Sequence, residues 1–221
     1  MRSRFSPVYL ITFIIMLAAM MLAVQFGIIT FTFQKLGLST NTAFLLLVGC
    51  LAGSMFNIPL FRIDTSPGPE YKESIMHGLL RGSPIVHTGF TVIAINVGGC
   101  VIPLVFSIYL MIWNRLDLLQ VSGGITVVAM VSYLFSRPVA GLGIGMPFLI
   151  APLTAAVVAI TINNELSAPL AYITGTLGVL IGADILHLRD IRKIGSPFAS
   201  IGGAGTFDGI FLTGLIAVLL A

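Results

Sequence analysis

Long apolar runs, separated by short charged or glycine- and proline-rich segments, dominate this sequence. A helix needs about 20 consecutive apolar residues to cross the roughly 30 Å hydrocarbon core of a bilayer. Because 57% of the residues are hydrophobic and only 9% are charged, an ordinary water-soluble domain is excluded. Seven runs are candidate membrane spans, at 8–33, 42–61, 88–113, 119–135, 145–162, 167–188 and 201–221.

The continuity of these runs predicts helices, because the strands of a membrane barrel alternate polar and apolar residues over about ten positions. The predicted fold is therefore all-α, a polytopic transmembrane helix bundle with one domain over residues 1–221. The longest predicted loop covers 62–87 and lies on the cytoplasmic side. Apolar residues recur every four positions within 70–80 of that loop and predict a short amphipathic helix on the membrane surface.

Basic residues predict how the chain is oriented, since lysine and arginine concentrate in the cytoplasmic loops of membrane proteins. With the N-terminus inside, the inner segments hold nine of the eleven basic residues, and the outer segments hold only Lys35 and Arg115. This distribution predicts seven spans in the cell membrane, with the N-terminus in and the C-terminus out. Membrane lipid is the expected partner, whereas the dispersed basic residues argue against nucleic acid.

Polar and helix-breaking residues inside apolar spans mark candidate functional sites, because a polar group at membrane depth must be satisfied. Asn96, followed by a glycine pair and Pro103, predicts a kink or break in the third span, either for packing or to line a cavity. The glycine- and proline-rich stretch 137–152 predicts an unwound start of the fifth span. Cys50 and Cys100 lie outside any C-x-x-C motif and are interpreted as packing residues.

Two acids lie near the inner ends of the last two spans, Asp184 in the sixth and Asp208 in the seventh. Thirteen residues follow Asp208, and that length of helix rises only about 20 Å, so its carboxyl is expected roughly 10 Å inside the apolar layer. Since consecutive antiparallel helices usually pack as neighbours, the two carboxyls could meet. Asp208 also fits a helix start after Thr206. Asp184 also fits an interfacial acid paired with Arg189 or His187.

Small residues recur along one side of the sixth span and predict a close approach of a neighbouring helix. At 100° per residue, Asp184 points to a different side, next to His187, so the acid is not expected on the closest-packed seam. The stripe consists of Ala171, Gly175, Gly178 and Gly182.

The stretches FSRPVAGLGIGMP, LIGADILHL and SIGGAGTFDGIFL make the C-terminal half resemble a prokaryotic family of multi-pass membrane proteins of unknown function. More distantly, the two acids are similar to those of the presenilin and signal peptide peptidase family of intramembrane proteases. In that family one catalytic acid lies on the sixth helix and the other directly follows Gly-x-Gly on the seventh. Here Ala183 stands where the family has tyrosine, and Thr206 and Phe207 separate Asp208 from Gly-x-Gly. The family's Pro-Ala-Leu motif on a ninth helix has no counterpart.

The resemblance implies a diaspartyl intramembrane protease that cleaves transmembrane peptides, with Asp184 and Asp208 as its catalytic residues. Two carboxyls within a few Å do not both ionise, so one would keep a proton while the other activates water. The sequence contains neither the His-Glu-x-x-His motif of zinc proteases nor the Gly-x-Ser-Gly of rhomboid-type serine proteases. The candidate substrate-binding or supporting residues are Gly203, Gly205, Thr206, Gly209 and His187.

The alternative hypothesis is an ion or small-solute transporter or channel, in which broken helices expose backbone carbonyls. Asp184 or Asp208 would then be the ion or proton ligand. A metal or cation site that also includes His187 is a third interpretation, because His187 lies three residues after Asp184 on one helical face. No metal and no cofactor is expected for the protease, and the sequence leaves the oligomeric state open.

Overall fold

The computed structural model of this chain describes residues 27–64, 89–139, 143–193, 198–203 and 209–221. Most residues within these ranges are helical. Most of the predicted first span, the predicted surface helix at 70–80 and Asp208 lie outside the described residues.

Seven α-helices run through the described part of the chain. Two of them adjoin π-helices. In a π-helix each backbone hydrogen bond joins residues five positions apart, compared with four in an α-helix. The π-helix π1 (Val97–Val101) leads directly into α3, and π2 (Leu180–Ile185) directly follows α6. A 3-10 turn follows at Asp190–Lys193. The α-helices are α1 (Gly27–Lys35), α2 (Thr40–Gly53), α3 (Ile102–Trp113), α4 (Leu118–Phe135), α5 (Ile150–Ile162), α6 (Ser167–Val179) and α7 (Gly209–Leu220).

The prediction of an all-α fold is confirmed only in part: most described residues are helical, but strands form two small sheets among them. Strand β1 (Asn57–Asp64) is antiparallel to β2 (Phe90–Asn96), and β2 is parallel to β5 (Phe198–Ile201). This three-stranded sheet therefore has the order β1-β2-β5. Strands β3 (Arg137–Val139) and β4 (Gly143–Gly145) form a separate antiparallel pair, which confirms the unwound start expected before the fifth apolar run.

The error has a physical cause, since a continuous apolar run does not distinguish a buried strand from a helix. In the predicted second span at 42–61, helix α2 ends at Gly53, and Pro59 then lies within β1. Proline has no amide hydrogen and blocks the continuation of a helix. The predicted third span at 88–113 begins as β2, in which four of the seven residues are β-branched, the side chains that strands favour.

Two described helices are long and apolar enough to cross a membrane, namely α4 and the continuous helix of α6 and π2. Helices α1 and α2 meet at 107° and would count as a third span if the bent pair forms one. Helices α5, α7 and the combined π1 and α3 are apolar but shorter. By length and composition the described spans are therefore fewer than the predicted seven, and they are consistent with membrane association.

Helix α6 lies at the centre of the bundle and packs against α3, α4, α5 and α7. In the candidate span formed by α6 and π2, 78% of the residues are buried. In α4 the buried share is only 28%, so α4 presents most of its surface outward. The predicted small-residue stripe is confirmed. A Cβ at Gly178 would lie 2.6 Å from the Val128 side chain, and one at Gly182 would overlap the backbone carbonyl of Ala129. Helix α4 therefore touches the α6 backbone directly.

The helices connect at two chemically different ends. The connections at 36–39, 114–117 and 163–166 lie together with Ala221, because residues from all four line one cavity of about 300 Å³. We call this the loop end. Each of α4 and α6 starts there and runs to the other end, which carries both sheets, both π-helices and the 3-10 turn. We call that the strand end.

Candidate functional site

The two π-helices meet at the strand end through a single glycine. The backbone amide of Gly202 donates a hydrogen bond of 3.1 Å to a carboxylate oxygen of Asp184, which lies in π2. On its other side Gly202 contacts π1, since a Cβ at position 202 would lie 2.7 Å from both the amide nitrogen and the Cβ of Cys100. We call Asp184, Gly202 and Cys100 the π junction.

Glycine is required at this junction for two reasons. Gly202 and Gly203 have φ angles of +84° and +91°, which place both in the left-handed region that side chains disfavour. The close approach of π1 leaves no space for a methyl group at position 202. Strand β5 therefore ends in a sharp glycine turn, and this turn brings a backbone donor to the Asp184 carboxylate.

His187 follows π2 and is held from two sides. Its ring nitrogen Nδ1 lies 3.1 Å from the carbonyl oxygen of Gly182, and since a carbonyl only accepts, we assign the proton to Nδ1. The ring also packs against Tyr133 of α4, with 4.7 Å between the ring centroids. The side chain is 5% exposed. His187 therefore fixes the end of π2 against α4.

A buried polar network lies beside the π junction and is centred on Asn96, the cross-strand partner of Asn57. The Asn96 amide nitrogen donates to the Ser54 carbonyl at 2.7 Å and to Oδ1 of Asn57 at 3.1 Å. Its Oδ1 accepts the amide hydrogen of Gly99 at 2.8 Å and so caps π1. The Ser200 hydroxyl of β5 donates to Oδ1 of Asn57 at 2.6 Å. The network joins α2, the three-stranded sheet and π1.

The break predicted at Asn96 is therefore confirmed, since the chain changes from strand to π-helix at this residue. Asn96 is fully buried, and every polar atom of its side chain has a partner within 3.1 Å. A satisfied buried amide rigidifies its surroundings, whereas an unsatisfied one destabilises them. The network therefore gives the π junction a rigid support.

A family model described as "Protein of unknown function (DUF1614)" matches residues 51–220, more than half of the chain. The chain belongs to the DUF1614 family. The match begins near the end of α2 and includes the whole strand end. Neither a curated protein nor a solved structure matches the chain.

The structure of this DUF1614 family member describes only part of the site predicted from the sequence. Asp184 is half-buried and lies at the π junction. Gly203 follows Gly202 in the glycine turn. Gly209 is the exposed first residue of α7, and a Cβ there would meet no atom of the described residues within 4 Å. The other predicted site residues lie outside the described residues; they are Asp208, Gly205 and Thr206.

Residues on both sides of the undescribed segment pack near Asp184. Ile201, at the end of β5, and Ile210, in the first turn of α7, belong to one buried apolar cluster that also contains Leu180 and Ala183 of π2. In the sequence, position 208 therefore falls between two described residues, Ile201 and Ile210, that share an apolar cluster with the neighbours of Asp184. Within the described ranges, no group of three or more His, Cys, Asp or Glu side chains could hold a metal ion.

Sequence analysis missed three residues that shape the site, namely Gly202, Tyr133 and Ser200. Gly202 had a signal in the sequence, because a glycine pair after a β-branched or apolar run is typical of a strand that ends in a left-handed turn. Tyr133 and Ser200 had none. Their roles depend on contacts with His187 and Asn57, which are distant in sequence.

Proposed function

We propose that this protein is a multi-pass protein of the cell membrane, with its N-terminus and strand end in the cytoplasm and its C-terminus outside. The distribution of basic residues supports this orientation. Arg62 of β1, Arg137 of β3 and Arg189 after π2 lie at the strand end, whereas Lys35 and Arg115 lie at the loop end. Short cytoplasmic segments carry the excess of basic residues in membrane proteins.

We propose that Asp184 and Asp208 form the catalytic pair of an aspartyl intramembrane protease. One observation carries this proposal: the half-buried Asp184 carboxylate lies in a π-helical break of a span-forming helix and accepts the amide hydrogen of Gly202. Gly202 begins the glycine-rich segment that leads to Asp208. π-Helical breaks occur frequently at functional sites, because they redirect side chains and free backbone groups.

The chemistry would follow from the two different surroundings of the acids. The amide of Gly202 stabilises negative charge on Asp184, so Asp184 would be the ionised member that activates a water molecule. Asp208 would keep the shared proton and donate it to the carbonyl oxygen of the scissile peptide as water attacks the carbonyl carbon. The two carboxyls would titrate as one coupled pair.

The distant resemblance to presenilin and signal peptide peptidase supports the same assignment, because that family carries its acids on its sixth and seventh helices. In the present structure the corresponding elements, α6 with π2 and α7, pack directly against each other. The substrate would be a transmembrane peptide, and its scissile segment would reach Asp184 from the strand end.

A cleavage assay in proteoliposomes tests the protease proposal. We expect wild-type protein to cut a helical transmembrane reporter and both Asp184→Asn and Asp208→Asn to lose cleavage by at least about a hundredfold. Glu165→Gln, an exposed acid at the loop end, is the matched control and should cut normally. Wild-type rates in either aspartate variant, or an uncut reporter panel with folded wild-type protein, would overturn the proposal.

Ion or proton transport is the second candidate function. Its support is the meeting of two helical breaks, π1 and π2, at Gly202, since interrupted helices commonly form the ion sites of transporters. Cation or proton flux into sealed vesicles measures this activity. Flux that disappears in Asp184→Asn, together with an uncut peptide reporter, would favour transport. Equal flux with and without the protein would exclude it.

A further inference from the structure

An open groove at the loop end combines aromatic and basic side chains. Tyr109, Ile112, Trp113 and Arg115 line this groove, which has a volume of about 560 Å³. The rings of Tyr109 and Trp113 stack along α3 with 5.9 Å between their centroids. Trp113 is 71% exposed. Exposed tryptophan and tyrosine at a helix end are typical of the membrane–water interface. There the ring contacts the acyl chains of the lipid, and its polar tip contacts the headgroups.

Arg115 adopts a backbone conformation that arginine disfavours. Its φ is +50°, and it is the only non-glycine residue with positive φ in the described part of the chain. The amides of Arg115 and Leu116 bond to the carbonyls of Ile112 and Met111 at 3.2 and 3.1 Å. These two bonds form a helix C-terminal motif in which glycine normally occupies the left-handed position.

An arginine at a position that favours glycine indicates a role for its side chain, because local backbone strain persists mainly where function requires it. The Arg115 side chain is exposed, and no hydrogen bond or ion pair joins it to another described residue. Lys35, the other basic residue that the structure describes at this end, is directed to the carbonyl oxygens of Val218 and Leu219 instead. The guanidinium of Arg115 is therefore available to a ligand.

The chemistry of the groove fits a phosphate attached to apolar chains. A guanidinium presents a planar fork of donors that binds phosphate oxygens in pairs. The other lining residues, Tyr109, Ile112 and Trp113, offer an apolar and aromatic wall one turn below Arg115 along the helix. A headgroup with its own cation would be repelled by Arg115, whereas an anionic headgroup would not.

We propose that this groove binds an anionic phospholipid, with its phosphate on Arg115 and an acyl chain along Tyr109, Ile112 and Trp113. The proposal is independent of the chemistry at Asp184, because the groove lies at the opposite end of the bundle. It assigns the loop end a lipid site and explains why arginine is present at position 115.

Fluorescence quenching tests the proposal directly, because Trp113 is the only tryptophan in the chain. The protein is placed in phosphatidylcholine vesicles that contain increasing fractions of chain-brominated phosphatidylglycerol or chain-brominated phosphatidylcholine. We expect phosphatidylglycerol to reach half-maximal quenching at a fraction about fivefold lower than phosphatidylcholine does. This is the preference that one basic residue gives for an anionic lipid. Equal quenching by the two lipids would overturn the proposal.

Arg115→Gly removes the guanidinium and gives the left-handed position the residue that suits it best, so the helix end should be retained. We expect this variant to lose the preference for phosphatidylglycerol. Arg189→Gln, an exposed arginine at the strand end, is the control and should keep it. A preference that survives in Arg115→Gly, or that disappears when millimolar inorganic phosphate is added, would contradict a lipid site.

Discussion

The two ends of the bundle hold the same helices together by different means. At the loop end, Ser39 caps α2 and Asp117 caps α4, and the side-chain bonds between distant described residues are long, at 3.2 to 3.5 Å. At the strand end, Asn96 and Ser200 make bonds to residues that are 42 and 143 positions away in sequence. A cap or a long bond can be lost at little expense to its neighbours, whereas the short bonds of Asn96 and Ser200, at 2.6 to 2.8 Å, join several elements. Substitutions at the strand end should therefore have the larger effects.

The largest expected effect concerns the glycines of the close helix contacts. In Gly182→Ala the new Cβ would overlap the Ala129 carbonyl oxygen of α4, and backbone atoms cannot move aside as a side chain can. We expect a loss of about 3 kcal/mol in the free energy of unfolding, measured by denaturant titration in mixed micelles.

Gly123→Ala is the matched control on α4, because a Cβ there meets nothing within 4 Å. Alanine favours helix over glycine, so we expect a gain of about 1 kcal/mol. Similar stabilities of Gly182→Ala and Gly123→Ala would contradict the direct contact between α4 and π2.

The buried network gives the next largest effect. Asn96→Ala removes the side-chain partner of the Ser54 carbonyl and of the Gly99 amide, and leaves Oδ1 of Asn57 with the Ser200 bond alone. Unsatisfied buried groups destabilise a fold by about 1 to 3 kcal/mol. Asn114→Ala at the loop end loses one bond to Leu110 within its own helix, so its loss should stay under about 1 kcal/mol. Equal losses in the same unfolding titration would remove the distinction between the ends.

Two tyrosines are almost equally exposed, Tyr133 at 45% and Tyr109 at 44%, but their ring partners differ in burial. Tyr133 packs at a tilt against the buried His187 at the strand end, and Tyr109 stacks on the exposed Trp113 at the loop end. We expect Tyr133→Leu to lower the unfolding free energy by about 1 kcal/mol and Tyr109→Leu by less than half of that. The reverse order would show that partner burial does not control these ring contacts.

The smallest effect is expected for Lys35, which caps the end of α7. Its ammonium lies 3.4 and 3.5 Å from the carbonyl oxygens of Val218 and Leu219, both long for hydrogen bonds. Lys35→Met should reduce the free energy of unfolding by about 0.5 kcal/mol, the typical value for a cation at a helix C-terminus. A loss as large as that of Asn96→Ala would contradict the ranking of the two ends.

The same difference explains what the sequence could predict. Apolar runs bounded by local signals predicted the bounds of α4, and of α6 together with π2, to within a few residues, because Asp117 caps the first and Ser167 starts the second. The small-residue stripe likewise predicted a close helix contact from spacing alone. In both cases the relevant information lies within a few turns of one helix.

At the strand end, the sequence predicted the break at Asn96 and the unwound start before α5 but not the strands, because the contacts that form the three-stranded sheet are long-range. The run at 88–113 is mostly apolar, and only pairing with β1 and β5 makes its first part a strand. The candidate site shows the same limit. Asp184 was found as an acid inside an apolar span, whereas its bond to Gly202 depends on a parallel strand pairing that no local pattern predicts.

The protease proposal requires Asp184 and Asp208 to be neighbours, and disulfide crosslinking between positions 184 and 208 measures whether they are. The experiment uses Asp184→Cys with Asp208→Cys in a Cys50→Ala, Cys100→Ala background, followed by mild oxidation in membranes. Disulfides form readily only when the Cβ atoms approach to about 4 Å. We predict rapid crosslinking of this pair and none for Glu165→Cys with Asp208→Cys, because Glu165 lies at the loop end, opposite to Asp184. Uncrosslinked 184 and 208 thiols in folded protein would contradict the proposal.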